Sequence, residues 1–179
     1  MSRRLSWVIV VATIALAMGA SVYVAERPLN TGPGPAISAF DRLLAAKLPD
    51  AAGKLQPIEQ WRGKVLVVNF WATWCPPCRE ETPILSRLQT KHASNGVQIV
   101  GIALDTADNV AQYAAIHPTS YPLLTGDANA TNLSRLLGNT QLALPYTVVF
   151  NRDGVTEMNR LGRFSEAELD SLLEKIVRR

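Results

Sequence analysis

The sequence predicts an α/β domain with a mixed β-sheet flanked by helices, and three observations lead there. Two near-continuous apolar runs, "KVLVVNFWA" (residues 64–72) and "VQIVGIAL" (residues 97–104), suit central strands buried on both faces. The stretch between them, "PPCREETPILSRLQTKHASNG", opens on proline, carries apolar positions at Ile84, Leu85 and Leu88, and closes on Gly96, as a helix does. Strand, helix and buried strand in succession imply parallel pairing with a right-handed crossover. The third observation is "PYTVVFNRDGVTEMNRLG", two strand patterns around an Asp153-Gly154 turn, which adds an antiparallel hairpin to the parallel unit.

Taken in order, the chain begins with an address. Arg3 and Arg4 precede an uncharged run over residues 5–25, "LSWVIVVATIALAMGASVYVA". That run is long enough to cross a hydrocarbon core as a helix, with Trp7 and Tyr23 near its two ends. The arginines place the N-terminus in the cytoplasm and the rest outside. Residues 1–25 therefore read as one N-terminal transmembrane helix, an uncleaved anchor. The alternative is a cleaved signal peptide using Ala15-Leu16-Ala17, although the apolar run is longer than such signals usually need. Residues 26–36, "ERPLNTGPGPA", are rich in proline and glycine and read as a linker. The globular domain is expected over residues 37–179.

Within that domain, residues 40–64 are expected to hold a small N-terminal β-hairpin with a turn near Ala52-Gly53. The helix after the first buried strand contains Pro83, which should kink it. "ADNVAQYAAIH" predicts a second helix stopped before Pro118, with His117 at its end. Residues 119–140 read as an insertion, a short strand at "YPLLTG" and a short helix ending at Gly138. Finally, "SEAELDSLLEKIVRR" begins with Ser165 as a cap and Glu168 three residues on, a capping box, and carries a stripe at Leu169, Leu172, Leu173, Ile176 and Val177.

A formal charge of +3 with scattered basic residues gives no basic stripe with interleaved aromatics, so no nucleic-acid partner is expected. No residue pattern supports an acyl carrier, a nuclease or a hydrolase. Both cysteines of the 179-residue chain, Cys75 and Cys78, stand in "NFWATWCPPCREETP". A domain of this size needs no staple, and so short a loop gains little from one. Cys-X-X-Cys after a buried strand and at the mouth of a helix is a redox constellation. The first cysteine is expected exposed at the helix start, where free N–H groups and the dipole favour a thiolate; the second is expected about one turn on and shielded. Cys75 then attacks a substrate disulfide and Cys78 resolves the mixed disulfide.

Pro76 and Pro77 have no N–H, so a Cys75 thiolate can accept a backbone hydrogen bond from Cys78 but from neither proline. Its pKa is expected to fall only moderately, and a weakly stabilised thiolate favours a reducing couple. Two chance structural cysteines are the bland alternative. A zinc site lacks ligands, since His92 and His117 stand in no metal-ligand pattern. A copper(I) site on the two thiols alone remains a reading in its own right. No cofactor is expected.

The stretch "VVNFWATWCPPCREETP" resembles the membrane-anchored thioredoxin-like proteins of the TlpA/ResA type, in the thioredoxin superfamily. The resemblance covers residues 40–179. It implies a thioredoxin fold on the periplasmic side of the inner membrane and reduction of disulfides in extracytoplasmic proteins, often during cytochrome c or cytochrome oxidase assembly. It also implies electrons from a transmembrane donor of the DsbD/CcdA type. Oxidase or isomerase activity is the alternative direction.

Several residues carry over. Pro145 in "LALPYTVVF" matches the proline that begins a strand opposite the cysteines after a cis bond, which would leave the backbone of Leu144 free to pair with an incoming peptide. Trp74 and Pro76 belong to the surface the substrate meets, and Trp71 to strand packing. Glu81 matches an acidic residue near the second cysteine, where a partly buried carboxyl with a raised pKa can accept the Cys78 proton; a solvated carboxylate like Glu80 is the alternative. Asn69 stands where thioredoxin has a buried aspartate and cannot titrate, which favours Glu81 as the base. "ALPYTVV" departs from the "GAPETF"-like run of the CcmG/DsbE branch and favours a general TlpA-like reductase. The sequons at Asn129 and Asn132 carry little weight in a protein resembling a bacterial family.

Overall fold

The computed structural model describes residues 37–179. The predicted anchor (1–25) and linker (26–36) lie outside the described residues. Among the described residues no helix is long and apolar enough to cross a membrane.

The first element is a short helix, α1 (Ala39–Leu44), which the sequence reading did not anticipate. Ser38 caps it, accepting the Asp41 N–H at 3.0 Å. The expected hairpin follows as β1 (Lys47–Pro49) and β2 (Leu55–Pro57). Its turn is closed by Asp50, whose Oδ1 accepts the N–H groups of Ala52 and Lys54 at 3.0 and 2.9 Å. Gly53 takes φ +81°, a left-handed conformation that glycine adopts freely.

The central sheet has five strands. Strand β3 (Val65–Trp71) pairs parallel with β4 (Val97–Ala103), which pairs parallel with β5 (Leu123–Thr125). On its other side β3 pairs antiparallel with β6 (Tyr146–Phe150), and β6 with β7 (Thr156–Leu161). This is the mixed sheet expected. The β1–β2 turn seals the far edge: Asp50 bridges to Leu124, and the Ala51 N–H donates to the Leu123 carbonyl at 3.1 Å. That contact covers an edge which would otherwise present unpaired backbone groups.

Every residue of β3 is buried, and side chains alternate between two cores. Val65, Val67 and Trp71 face helices α2 (Pro76–His92) and α5 (Glu166–Val177), with Leu85, Leu88, Leu169 and Leu173 among their neighbours. Leu66, Val68 and Phe70 face α1 and α4 (Asp127–Leu136). Helix α3 (Ala107–Ile116) sits on the α2 side through Val110 and Tyr113, with His117 as its C-cap.

Helix α2 runs unbroken through Pro83 and is followed by a 3-10 turn and Gly96 in the left-handed region. Four links clasp it to α5: Arg87–Glu166, Lys91–Asp170, Lys91–Glu174, and His92 Nε2 to Asp170 Oδ1 at 2.7 Å. The capping box is realised by half. Ser165 Oγ accepts the Glu168 N–H at 3.2 Å, but the Glu168 carboxylate pairs with Arg160 of β7 instead of reaching back. A full guanidinium charge one strand away outcompetes a neutral N–H.

Candidate active site

Parallel and antiparallel neighbours bring three chain segments to one end of β3. The strand ends at Trp71 and feeds the loop to Cys75. The register Phe70↔Tyr146 puts the start of β6, and therefore Leu144-Pro145, beside that loop. The Phe164 turn closes the third side, between β7 and α5.

Cys75 is the N-cap of α2 and is joined to Cys78 by a disulfide. The first-turn donors of a helix are normally unpaired. Here Pro76 and Pro77 remove two of them, the Arg79 N–H goes to the Cys75 carbonyl at 3.2 Å, and the Cys78 N–H donates to Cys75 Sγ at 3.3 Å. The sulfur thus receives the one amide the sequence allowed it. Cys78 is shielded as expected. Cys75 is not exposed as expected: only 4% of its surface meets solvent. In the disulfide its sulfur turns inward to Cys78, and the exposed neighbours Trp74 and Pro76 flank it.

Glu81 is fully buried, beyond the partial burial expected. Its Oε1 accepts the Phe164 N–H at 3.0 Å, and its Oε2 has no hydrogen-bond partner. Burial pushes its carboxyl up to about 7; the Phe164 N–H, the charges of Arg163 and Arg160 and the Asn69 amide oppose that shift without cancelling it. Glu80, one residue earlier, points outward to Arg163. Asn69 is buried and donates to Thr147 Oγ1 at 3.0 Å, so the buried polar cluster extends across β3 and β6.

The Leu144–Pro145 bond is cis. Neither the N–H nor the carbonyl of Leu144 has a hydrogen-bond partner among the described residues, whereas the Pro145 carbonyl accepts the Gly162 N–H at 2.8 Å. Trp74 is largely exposed and Trp71 is buried against Tyr113, ring centroids 4.9 Å apart.

Sequence reasoning missed the partners of these residues. Phe164 meets Glu81 across 83 positions of sequence through its backbone, which no side-chain pattern reveals. Asp105 was missed too. It accepts both the N–H and the hydroxyl of Thr73, and its other oxygen takes Thr106 N–H and Asn109 Nδ2 at 2.8 Å each. The active-site loop is thereby tied to the start of α3. Burial alone would raise the Asp105 carboxyl, but these hydrogen bonds hold it below its usual range. The signal was an Asp-Thr pair at the helix start, which reads as capping. Among the described residues no group of three or more His, Cys, Asp or Glu side chains could hold a metal ion.

Residues 34–173 match the Redoxin family. The chain belongs to that family. It is similar to the thiol-disulfide oxidoreductase ResA of Bacillus cereus, 26% identical over 130 residues and 72% of each chain. It is also similar to the thioredoxin-like protein YneN of Bacillus subtilis (strain 168), 26% identical over 71% of this chain and 74% of that one. Among solved structures, a thioredoxin-related protein from Neisseria meningitidis serogroup B superposes with a TM-score of 0.65 at 33% identity, covering 74% of this chain and 99% of that one. The resemblance read from "VVNFWATWCPPCREETP" is therefore met. This Redoxin-family chain is a TlpA/ResA-type member of the thioredoxin superfamily and a thiol–disulfide oxidoreductase.

Proposed function

We propose that this oxidoreductase works as a reductase of disulfides in extracytoplasmic proteins, tethered by residues 1–25 to the periplasmic side of the inner membrane. The observation that carries the proposal is the Cys75–Cys78 pair at the mouth of α2 with the buried carboxyl of Glu81 one turn below.

In the dithiol form, the Cys75 thiolate attacks one sulfur of a substrate disulfide. A Cys75–substrate disulfide forms and the first substrate thiolate leaves. The substrate backbone pairs with the free N–H and carbonyl of Leu144 beside Pro145, while Trp74 and Pro76 supply the surface it rests on. Glu81 accepts the Cys78 proton, and the Cys78 thiolate attacks Cys75 Sγ. The second substrate thiolate leaves, two electrons have passed to the substrate, and the enzyme disulfide remains.

The direction rests on the two prolines. With a single backbone amide on Cys75 Sγ, the thiolate gains little stabilisation, so the dithiol is the better electron donor. The enzyme disulfide must then be re-reduced from across the membrane, which calls for a transmembrane dithiol donor of the DsbD/CcdA type. Cytochrome c or cytochrome oxidase assembly is the setting that the family resemblance suggests for such a reductase.

The test is insulin reduction by the dithiol protein, run beside copper(I) competition against a chelator. Turnover lost in Cys75→Ser supports the reductase. Tight copper(I) binding with no insulin reduction would replace it with a copper chaperone.

A further inference from the structure

A groove of about 660 Å³ opens between α2 and α3, within the range of volumes that hold a bound ligand. Its α2 wall is made by Arg79, Thr82, Pro83 and Ser86. Counted from Cys75, these are positions +4, +7, +8 and +11, so the wall lies on the helix face that begins with the attacking sulfur. Its opposite wall is α3 and the loop after it, with Ile116 and His117.

The groove is preformed. Tyr113 packs on Trp71 at the end of β3, and His117 stacks on Tyr113 with ring centroids 4.7 Å apart. Ser120 binds Ser86 twice, through its N–H at 3.1 Å and its hydroxyl at 2.7 Å, which fixes the loop after α3 to α2. The lining contains no carboxylate. Arg87 at its far end is neutralised by Glu166, but Arg79, next to Cys78 and exposed, has no ion pair among the described residues. Ile116 is 72% exposed. One wall thus offers a free cation one turn from the reactive cysteine, and the other an uncovered apolar side chain.

We infer that this groove is the specificity subsite of the reductase, and that it takes a peptide segment of the substrate protein carrying an acidic residue and an apolar residue beside the disulfide to be reduced. The inference rests on the reductase reading above. The carboxylate pairs with Arg79 and the apolar side chain covers Ile116, which brings the neighbouring disulfide to Cys75.

The test uses the full chain in its dithiol form and three disulfides: one peptide with Asp and Leu flanking the cystine, the same peptide with Lys for Asp, and neutral hydroxyethyl disulfide. Single-turnover rates are read at low and high salt. The acidic peptide is expected to react about two- to fivefold faster than the basic one, with the difference shrinking at high salt. Arg79→Gln should erase the preference and Arg79→Glu should reverse it, after each rate is divided by that for hydroxyethyl disulfide. That division removes any effect of the Arg79 charge on Cys75 itself. A wild-type protein without preference, or a preference that survives Arg79→Glu, overturns the inference. Failure to react with hydroxyethyl disulfide would instead strike the reductase reading. The groove is then read separately, by NMR titration of the oxidised protein with cysteine-free versions of the two peptides. Shifts at Arg79, Ser86 and His117 with the acidic peptide alone support the subsite, and equal shifts with both, or none, refute it.

Discussion

Glu81 and Phe164 are joined by a single hydrogen bond, from the Phe164 N–H to Glu81 Oε1 at 3.0 Å, and the second carboxylate oxygen is buried with no partner. One oxygen is held in place and the other has no hydrogen-bond partner, so burial outweighs the opposing charges and raises the carboxyl to about 7.

Replacing Glu81 by Gln should slow resolution of the mixed disulfide by about a hundredfold, at the low end of what a positioned acid or base contributes. The wild-type rate should climb as pH rises toward about 7, where Glu81 becomes ionised, and then level off. Stopped-flow rates from pH 5 to 8.5 read both effects. An unchanged profile in the variant would remove Glu81 from the chemistry.

The same carboxyl makes stability fall with pH. Its folded pKa is raised above the unfolded value, so the folded state binds more protons across that interval. The stabilising contribution is complete below about 4.3 and is lost as pH rises through about 7. Glu81→Gln keeps the oxygen that meets Phe164 and removes the buried charge, so it should stabilise the protein at pH 8 by roughly 3 kcal/mol at most. Denaturant midpoints of the two proteins at pH 5 and pH 8 supply the comparison.

Asp105→Ala should untie the active-site loop. Thr73 loses both of its bonds, and the protein is expected to lose about 1 to 3 kcal/mol at pH 7. Because the carboxyl is held below its usual range, that deficit is present at neutral pH and shrinks as acid protonates Asp105 in the wild type. Equal unfolding curves at pH 7 would count against the tie.

Gly101 lies on β4 opposite Asn69, behind the site. A Cβ there would come within 2.9 Å of Leu123 Cδ2 and 3.2 Å of both Trp71 Nε1 and Tyr121 Cε2. Gly101→Ala is therefore expected to cost about 1 to 3 kcal/mol, as overpacking does, measurable as a lowered thermal midpoint.

Much of this was legible because local chemistry agreed with global packing. Valine-rich runs became β3 and β4, Asp153-Gly154 became the β6–β7 turn, and the Pro-Pro opening of α2 dictated the lone amide on Cys75. Helix α1 escaped because six residues show too little periodicity, although Ser38 and Asp41 carried a capping signal. The capping box at Ser165 was half right because a rival for Glu168, Arg160, arrives from the end of β7, eight residues earlier. Cys75 reads as exposed from its place at a helix mouth, but in the disulfide form only 4% of its surface meets solvent. Asp105 and Phe164 act on the site through tertiary contacts with backbone groups, and sequence patterns do not record those.

The most direct test of the central claim is the reduction potential of the Cys75–Cys78 couple, measured on the full chain by equilibration with a glutathione or dithiothreitol buffer. The single amide on Cys75 Sγ predicts a reducing couple, about −270 mV or lower, comparable with thioredoxin. A value near −120 mV, that of the strong oxidant DsbA, would mean that the thiolate is far better stabilised than this helix mouth allows, and the flow of electrons would have to be drawn the other way.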